Sequence, residues 1–153
     1  MATFAFCRNF NKDFMESVAR HMIFHASIVS IFGLLLGSPY GSSINNKKPA
    51  HVVNSWRVAH ASLPIAAGLM FAIAAVLSSF QVSQFVKWLI AGSLITSSYA
   101  FCVSMPLAAI TEHRGLTRDG KGWQKIVYFG NVLGASTSLI SAAALLYAAF
   151  VSI

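Results

Sequence analysis

The sequence contains few charged residues, and acidic residues are the scarcest among them. Only 10% of its 153 residues are charged and four are acidic, whereas charged residues make up about 25% of a typical soluble domain. The four acids, Asp13, Glu16, Glu112 and Asp119, all lie outside the long apolar segments. Catalysis by a Ser-His-Asp triad or by paired carboxylates is therefore not predicted.

Cysteine is also scarce, which limits the redox and metal chemistry open to the chain. Cys7 lies near the N-terminus and Cys102 inside an apolar segment, and neither stands in a CxxC or CxxxH spacing. The sequence therefore predicts neither a disulfide framework nor a zinc site built on cysteines.

Apolar segments take up most of the chain, in which 56% of the residues are hydrophobic. A helix that crosses about 30 Å of hydrocarbon needs about 20 apolar residues, because every backbone polar group must be satisfied within it. Four segments meet this requirement, at about residues 17–36, 58–80, 85–110 and 126–153. The sequence therefore predicts a single all-α integral membrane domain, a multi-pass bundle of four transmembrane helices.

The ends of two of these segments have distinctive compositions. Arg8, Lys12 and Arg20 fill the region where a signal peptide would have its apolar stretch, so we expect the first segment to be retained as a helix. The Gly-Ser-Pro-Tyr-Gly sequence at residues 37–41 predicts a turn after it. The fourth segment is rich in Gly, Ala and Ser, which predicts close packing within or between subunits.

Basic residues flank the apolar segments and give the chain a formal charge of +7. Anionic headgroups lie at these positions in a membrane, so the charge indicates a lipid bilayer as partner and no nucleic acid. The two longer loops carry seven basic residues and the opposite side carries four, which favours a cytoplasmic location for these loops. The seven are Lys47, Lys48, Arg57, Arg114, Arg118, Lys121 and Lys125, and the four are Arg8, Lys12, Arg20 and Lys87.

His60 is the strongest candidate for a functional residue, because ionisable groups inside a membrane segment are costly. Pro64 follows it by four residues and has no N–H, so the carbonyl of His60 loses its usual helical partner. A distorted turn beside an imidazole suits a metal or cofactor ligand. The other interpretation is an interfacial histidine that bonds lipid headgroups, and the residues alone leave both open.

His21 and His25 are four residues apart and share one face of the first helix. They are either ligands or, as the flanking Arg20 favours for His21, an interfacial histidine and one that bonds a neighbouring helix. His25 is predicted to lie about 12 Å deeper than His60. Two imidazoles on one iron differ in position by only about 4 Å. A haem bound by both histidines in one subunit is therefore not expected, and a five-coordinate metal with an open site is preferred.

The sequence resembles the styrene oxide isomerases, a family of small four-helix membrane enzymes. The resemblance lies in Ala19-Arg20-His21, in Trp56-Arg57-Val58-Ala59-His60 with Pro64 and Gly68, and in Arg114-Gly115-Leu116-Thr117. It covers roughly residues 19–135.

The resemblance implies a homotrimer in the bacterial inner membrane with ferric haem b between the subunits. It implies His60 as the axial ligand of the iron, and Trp56 and Arg114 as cofactor-binding residues. The implied activity is the rearrangement of a small apolar aryl epoxide to an aldehyde without net redox change. An iron with one open face suits this reaction, because it can act as a Lewis acid on the epoxide oxygen.

The sequence departs from the family pattern at two positions that contact substrate. Ala66 and Ala67 occupy the stretch where the family has an asparagine, and Met105 and Pro106 stand where it has a tyrosine. Tyr99 is the candidate that we assign to the catalytic role of that tyrosine. A haem-binding sensor, an electron-transfer subunit and an assembly subunit without cofactor are the alternatives to an isomerase.

Overall fold

The computed structural model describes the backbone of residues 2–113, 115, 117 and 122–153, and the side chains of these residues from Ser17 onward. The chain forms five α-helices in these parts: α1 (Ala2–Leu35), α2 (Gly37–Asn45), α3 (Ala50–Val76), α4 (Gln84–Thr111) and α5 (Trp123–Val151). A short 3₁₀ turn, Leu77–Ser79, extends α3. The described residues include no strand, so the all-α prediction is confirmed.

Among the described residues, four helical stretches are long and apolar enough to cross a membrane. They are Ser17–Asn45, Ala50–Ser79, Gln84–Thr111 and Trp123–Val151. Large apolar side chains such as Ile65, Phe85 and Phe150 point outward, with 72 to 76% of their surface exposed. Contact between such a surface and water would be unfavourable in free energy, whereas contact with lipid is favourable. The predicted four-helix membrane bundle is therefore confirmed.

The turn that we predicted at residues 37–41 is wrong, because these residues form the first part of α2. Pro39 is the third residue of α2 and lies in its first turn, where a missing N–H costs nothing. The helix is interrupted only at Leu36, between α1 and α2. The first membrane segment therefore continues to Asn45.

Helix α3 begins eight residues earlier than predicted, at Ala50 instead of residue 58. Its first two turns contain polar residues, including His51, Asn54 and Arg57, which hydropathy excludes although they continue the same helix. His60 accordingly lies ten residues into α3, or about 15 Å from its start.

Close helix pairs hold the bundle together, with α1 packed mainly against α3 and α5 mainly against α4. Gly134 of α5 lies so near Phe101 of α4 that a methyl group on it would come within 2.8 Å of the ring. Buried serines also join these helices, since Ser97 Oγ donates to the Gly134 carbonyl at 2.7 Å and Ser141 Oγ to the Ile90 carbonyl at 3.0 Å. The close packing that we expected for the fourth membrane helix is present between α5 and α4.

Candidate functional site

The His60 imidazole is held by a backbone atom of the neighbouring helix. Its Nδ1 lies 2.9 Å from the carbonyl oxygen of Gly33 in α1. A carbonyl only accepts hydrogen bonds, so Nδ1 carries the proton and donates it. In the neutral ring the other nitrogen, Nε2, then carries a free lone pair. Metal-binding histidines show this arrangement, in which the second ring N–H is fixed by a backbone carbonyl or a carboxylate.

The Gly33 carbonyl is available because of the break between α1 and α2. The Leu36 N–H donates to the Phe32 carbonyl at 3.3 Å, and the next backbone bond across the break runs from Tyr40 to the Leu36 carbonyl at 3.2 Å. The carbonyls of residues 33–35 lie between these two bonds, and Pro39 has no N–H for that of Leu35. The break between α1 and α2 thus provides the acceptor for His60.

Two glycines allow α1 and α2 to come this close to α3. A methyl group on Gly33 would lie 2.6 Å from Cδ of Pro64 and 2.8 Å from Cβ of Leu63. A methyl group on Gly37 would lie 3.1 Å from Cε1 of His60. Gly33 and Gly37 form a GxxxG pair, a spacing that lets membrane helices approach closely. Sequence reasoning missed this pair because residues 37–41 were assigned to a turn.

Tyr40 of α2 is a further residue at this site that the sequence did not indicate. Its ring is nearly parallel to that of His60, with an interplanar angle of 26° and centroids 6.1 Å apart. Gly33, Gly37 and Tyr40 are spaced by four and three residues, so they lie on one helix face. The helical spacing would have identified Tyr40 once residues 37–45 were recognised as a helix.

His60 is half-buried at the surface of the single subunit. Three grooves on this subunit have volumes of about 410, 250 and 510 Å³, and their lining residues do not include His60. Within the described part of the chain, no group of three or more His, Cys, Asp or Glu side chains could hold a metal ion. The arrangement suits a group that needs one protein ligand and supplies its other ligands itself.

The family model for styrene oxide isomerase matches residues 18–150, which includes all the residues around His60. The chain belongs to the styrene oxide isomerase family. The predicted resemblance is thereby confirmed, and membership indicates a membrane protein with an isomerase-type function. No curated protein and no solved structure matches the chain.

The other site residues predicted from the sequence are Trp56, Tyr99 and Arg114. Trp56 lies one turn before His60 on the same face of α3 and packs partly buried against the core. Tyr99 is placed elsewhere, since its hydroxyl hydrogen-bonds Nδ1 of His25 at 2.9 Å. Arg114 lies outside the described residues.

His25 therefore bonds a neighbouring helix, which is one of the two interpretations left open above. Its ring meets that of Tyr99 edge to face at 5.6 Å, and it stacks at 6.3 Å on His21, which in turn contacts Trp88 at 5.6 Å. His60 is level with Gly33, eight residues beyond His25 on α1, or about 12 Å. The two histidines are thus too far apart in depth to bind one iron within a subunit.

Proposed function

We propose that this chain is a membrane isomerase that converts a small apolar epoxide, such as an aryl epoxide, into a carbonyl compound, with ferric haem b held by His60. The family match over residues 18–150 supports the isomerase function. The orientation of His60 is the observation that carries the haem assignment, because its Nδ1–H is bound to the Gly33 carbonyl and its Nε2 lone pair is left for a metal.

The residues around His60 fit a haem ligand in three respects. The imidazole has no hydrogen-bond partner at Nε2 among the described residues. Gly37 has no side chain to fill the space beside Cε1 of the ring. The ring of Tyr40 lies nearly parallel to the imidazole, with the two centroids 6.1 Å apart. Haem, when bound, would supply an iron whose open face acts as a Lewis acid toward an epoxide oxygen.

The rearrangement itself needs few acidic or basic groups from the protein. One C–O bond of the epoxide breaks, a hydride moves from the oxygen-bearing carbon to its neighbour, and the oxygen remains as a carbonyl. Substrate and product are isomers, so the reaction consumes and releases no proton, electron or water. The scarcity of acidic residues agrees with this, since the described Glu112 lies at the very end of α4. The apolar bundle favours a substrate that partitions into membranes.

We further propose that the haem lies between the subunits of a homotrimer in the bacterial inner membrane. His60 is half-buried on the outside of one subunit, so a second subunit is needed to enclose a group bound to it. An enclosed site would also exclude water, which otherwise attacks an activated epoxide. The assembly is tested by native mass spectrometry of the haem-loaded protein, where three chains are expected and a monomer with full haem content would contradict the proposal.

The visible absorption spectrum of the purified protein tests the haem assignment. We expect a Soret band in the wild-type protein and its loss in His60→Ala, with partial recovery when imidazole is added to the cavity left by the side chain. His25→Ala is the matched control, because it also removes a histidine from a membrane helix, and it should keep the band. A folded His60→Ala variant with full haem content would refute the assignment.

Conversion of styrene oxide tests the isomerase activity separately. We expect haem-loaded protein to form phenylacetaldehyde, measured by gas chromatography, and His60→Ala to form none above the uncatalysed rate. Haem-loaded protein that converts no epoxide of a small apolar panel would contradict the isomerase activity and leave haem binding intact. A six-coordinate low-spin spectrum in such a protein would favour a sensor or electron-transfer subunit.

A further inference from the structure

A groove on the outer face of α1 lies far from His60, near the start of the first membrane segment. It has a volume of about 410 Å³ and is lined by Ser17, Arg20, His21, Phe24 and His25. The first apolar segment of the sequence starts at about residue 17, so Arg20 lies about 4.5 Å inside its start. From Arg20 to the level of Gly33 is thirteen residues, or about 20 Å. The groove is therefore separate from the site at His60.

The groove carries positive charge that no described acidic residue balances. Arg20 and His21 are both exposed. Among the described side chains, the ion pair is between His51 and Glu112, at the other end of the bundle. Glu16, one turn before Arg20, lies among the residues whose side chains are not described, so its effect belongs in the experiment below.

Aromatic rings border the groove on two sides. Trp88 of α4 contacts the His21 ring at 5.6 Å, and tryptophan is enriched at the level of lipid headgroups. Phe24 lies one turn deeper than Arg20 and exposes 60% of its surface toward the hydrocarbon. The hydrogen bond between His25 and Tyr99 fixes the deepest wall of the groove. From the membrane surface toward the interior, the groove is thus lined first by cationic side chains and then by aromatic and apolar ones.

We propose that this groove binds the phosphate of an anionic phospholipid. The Arg20 guanidinium reaches the headgroup and binds the phosphate through paired N–H donors, as its planar shape allows. The His21 ring offers a further nitrogen beside it. The acyl chain then runs along Phe24 toward the membrane centre. A zwitterionic lipid has the same phosphate but carries a compensating cation, so it binds more weakly.

Native mass spectrometry in mixed lipid tests this site. The probes are phosphatidylglycerol and phosphatidylcholine, supplied in equal amounts to the full-length wild-type protein. We expect selective retention of phosphatidylglycerol, and about a tenfold loss of that selectivity in Arg20→Gln, since a hydrogen bond to a charged group contributes enough for this change. Arg20→Lys should keep part of it, because the charge remains and the paired geometry is lost.

Arg57→Gln is the matched control, because Arg57 is an exposed arginine at the other end of the bundle, bound to Asn54 at 2.6 Å. It should leave the selectivity unchanged, and equal losses in Arg20→Gln and Arg57→Gln would overturn the proposal. Glu16→Gln should leave the selectivity equal or higher, and a loss there would also contradict it.

Two further results test which ligand occupies the groove. Inorganic phosphate that displaces phosphatidylglycerol at similar concentration would identify free phosphate as the ligand and refute the lipid. Should Arg20→Gln fail to fold, the wild-type preference between the two lipids still decides, because equal retention of both contradicts an anionic lipid site.

Discussion

The glycine at position 37 matters because of one neighbouring atom. A methyl group there would lie 3.1 Å from Cε1 of His60, closer than most side-chain contacts. In a helix, alanine is about 1 kcal/mol more favourable than glycine, so the substitution does not weaken α2 itself. Its effect should therefore appear at the imidazole and leave the fold intact.

Gly37→Ala is accordingly expected to lower haem retention or shift the Soret band while the protein stays monodisperse. The measurement is the absorption spectrum per chain after purification. Gly41→Ala is the matched control in the same helix, because a methyl group there meets nothing within 4 Å. Identical spectra for wild type and both variants would show that the ring does not depend on the space at Gly37.

At the scale of helices, the contact between α1 and α3 fixes the position of His60. Gly33 of α1 lies against the ring of Pro64, the residue that frees the His60 carbonyl. The same Gly33 offers its carbonyl to the imidazole. Separating the two helices would therefore loosen the packing and lengthen this hydrogen bond together.

Gly33→Ala is expected to destabilise the bundle by about 1–3 kcal/mol, the usual cost of overpacking against atoms that cannot move away. Thermal unfolding in detergent should show a lower Tm than for the wild type. Gly92→Ala in α4 provides the comparison, because its methyl group would meet nothing within 4 Å. Equal Tm values for Gly33→Ala and Gly92→Ala would show that α1 and α3 adjust without cost.

Sequence alone predicted the membrane helices well and their ends poorly. Hydropathy identifies the part of a helix that contacts lipid, so α4 was nearly correct, at residues 85–110 against Gln84–Thr111. Polar turns that continue a helix beyond the membrane, as at the start of α3, leave no hydropathy signal. Pro39 was interpreted as part of a turn, although proline is also common in the first turn of a helix.

For the candidate site, too, the sequence predicted one part and missed another. His60 and Pro64 could be singled out because a histidine and a proline are unusual within an apolar segment. The partners of His60 could not, since contacts between helices depend on how each helix is rotated about its axis. Tyr99 was assigned a catalytic role from the sequence, and its hydroxyl meets His25 in the bundle. The catalytic role of Tyr99 stays a prediction.

The distribution of charge on the whole molecule predicts its orientation in the membrane. The end of the bundle with the loops after α2 and α4, counted over residues 37–57 and 111–125, carries seven basic residues and the opposite side four, which favours the cytoplasm for the former. The helices place these two loops at the same end of the bundle, as His51 and Glu112 confirm by pairing at 3.2 Å. Both loops must therefore lie on one side.

Cysteine labelling tests this orientation in intact cells. In a variant without Cys7 and Cys102, a cysteine at position 83 should react with a membrane-impermeant maleimide, and one at position 117 should react only after the cells are opened. Ser83 precedes α4 at one end, and Thr117 lies exposed at the other. The reverse pattern would place the longer loops outside the cytoplasm.

The acceptor that orients His60 belongs to the main chain, and this makes the orientation of the ring insensitive to changes of neighbouring side chains. No single side-chain replacement can delete a peptide oxygen, so the ring keeps its tautomer as long as the backbone keeps its course. Side chains elsewhere in the bundle can then change without altering which nitrogen of the ring is free. Under the proposed function, substitutions that change substrate preference would leave this orientation of His60 unchanged.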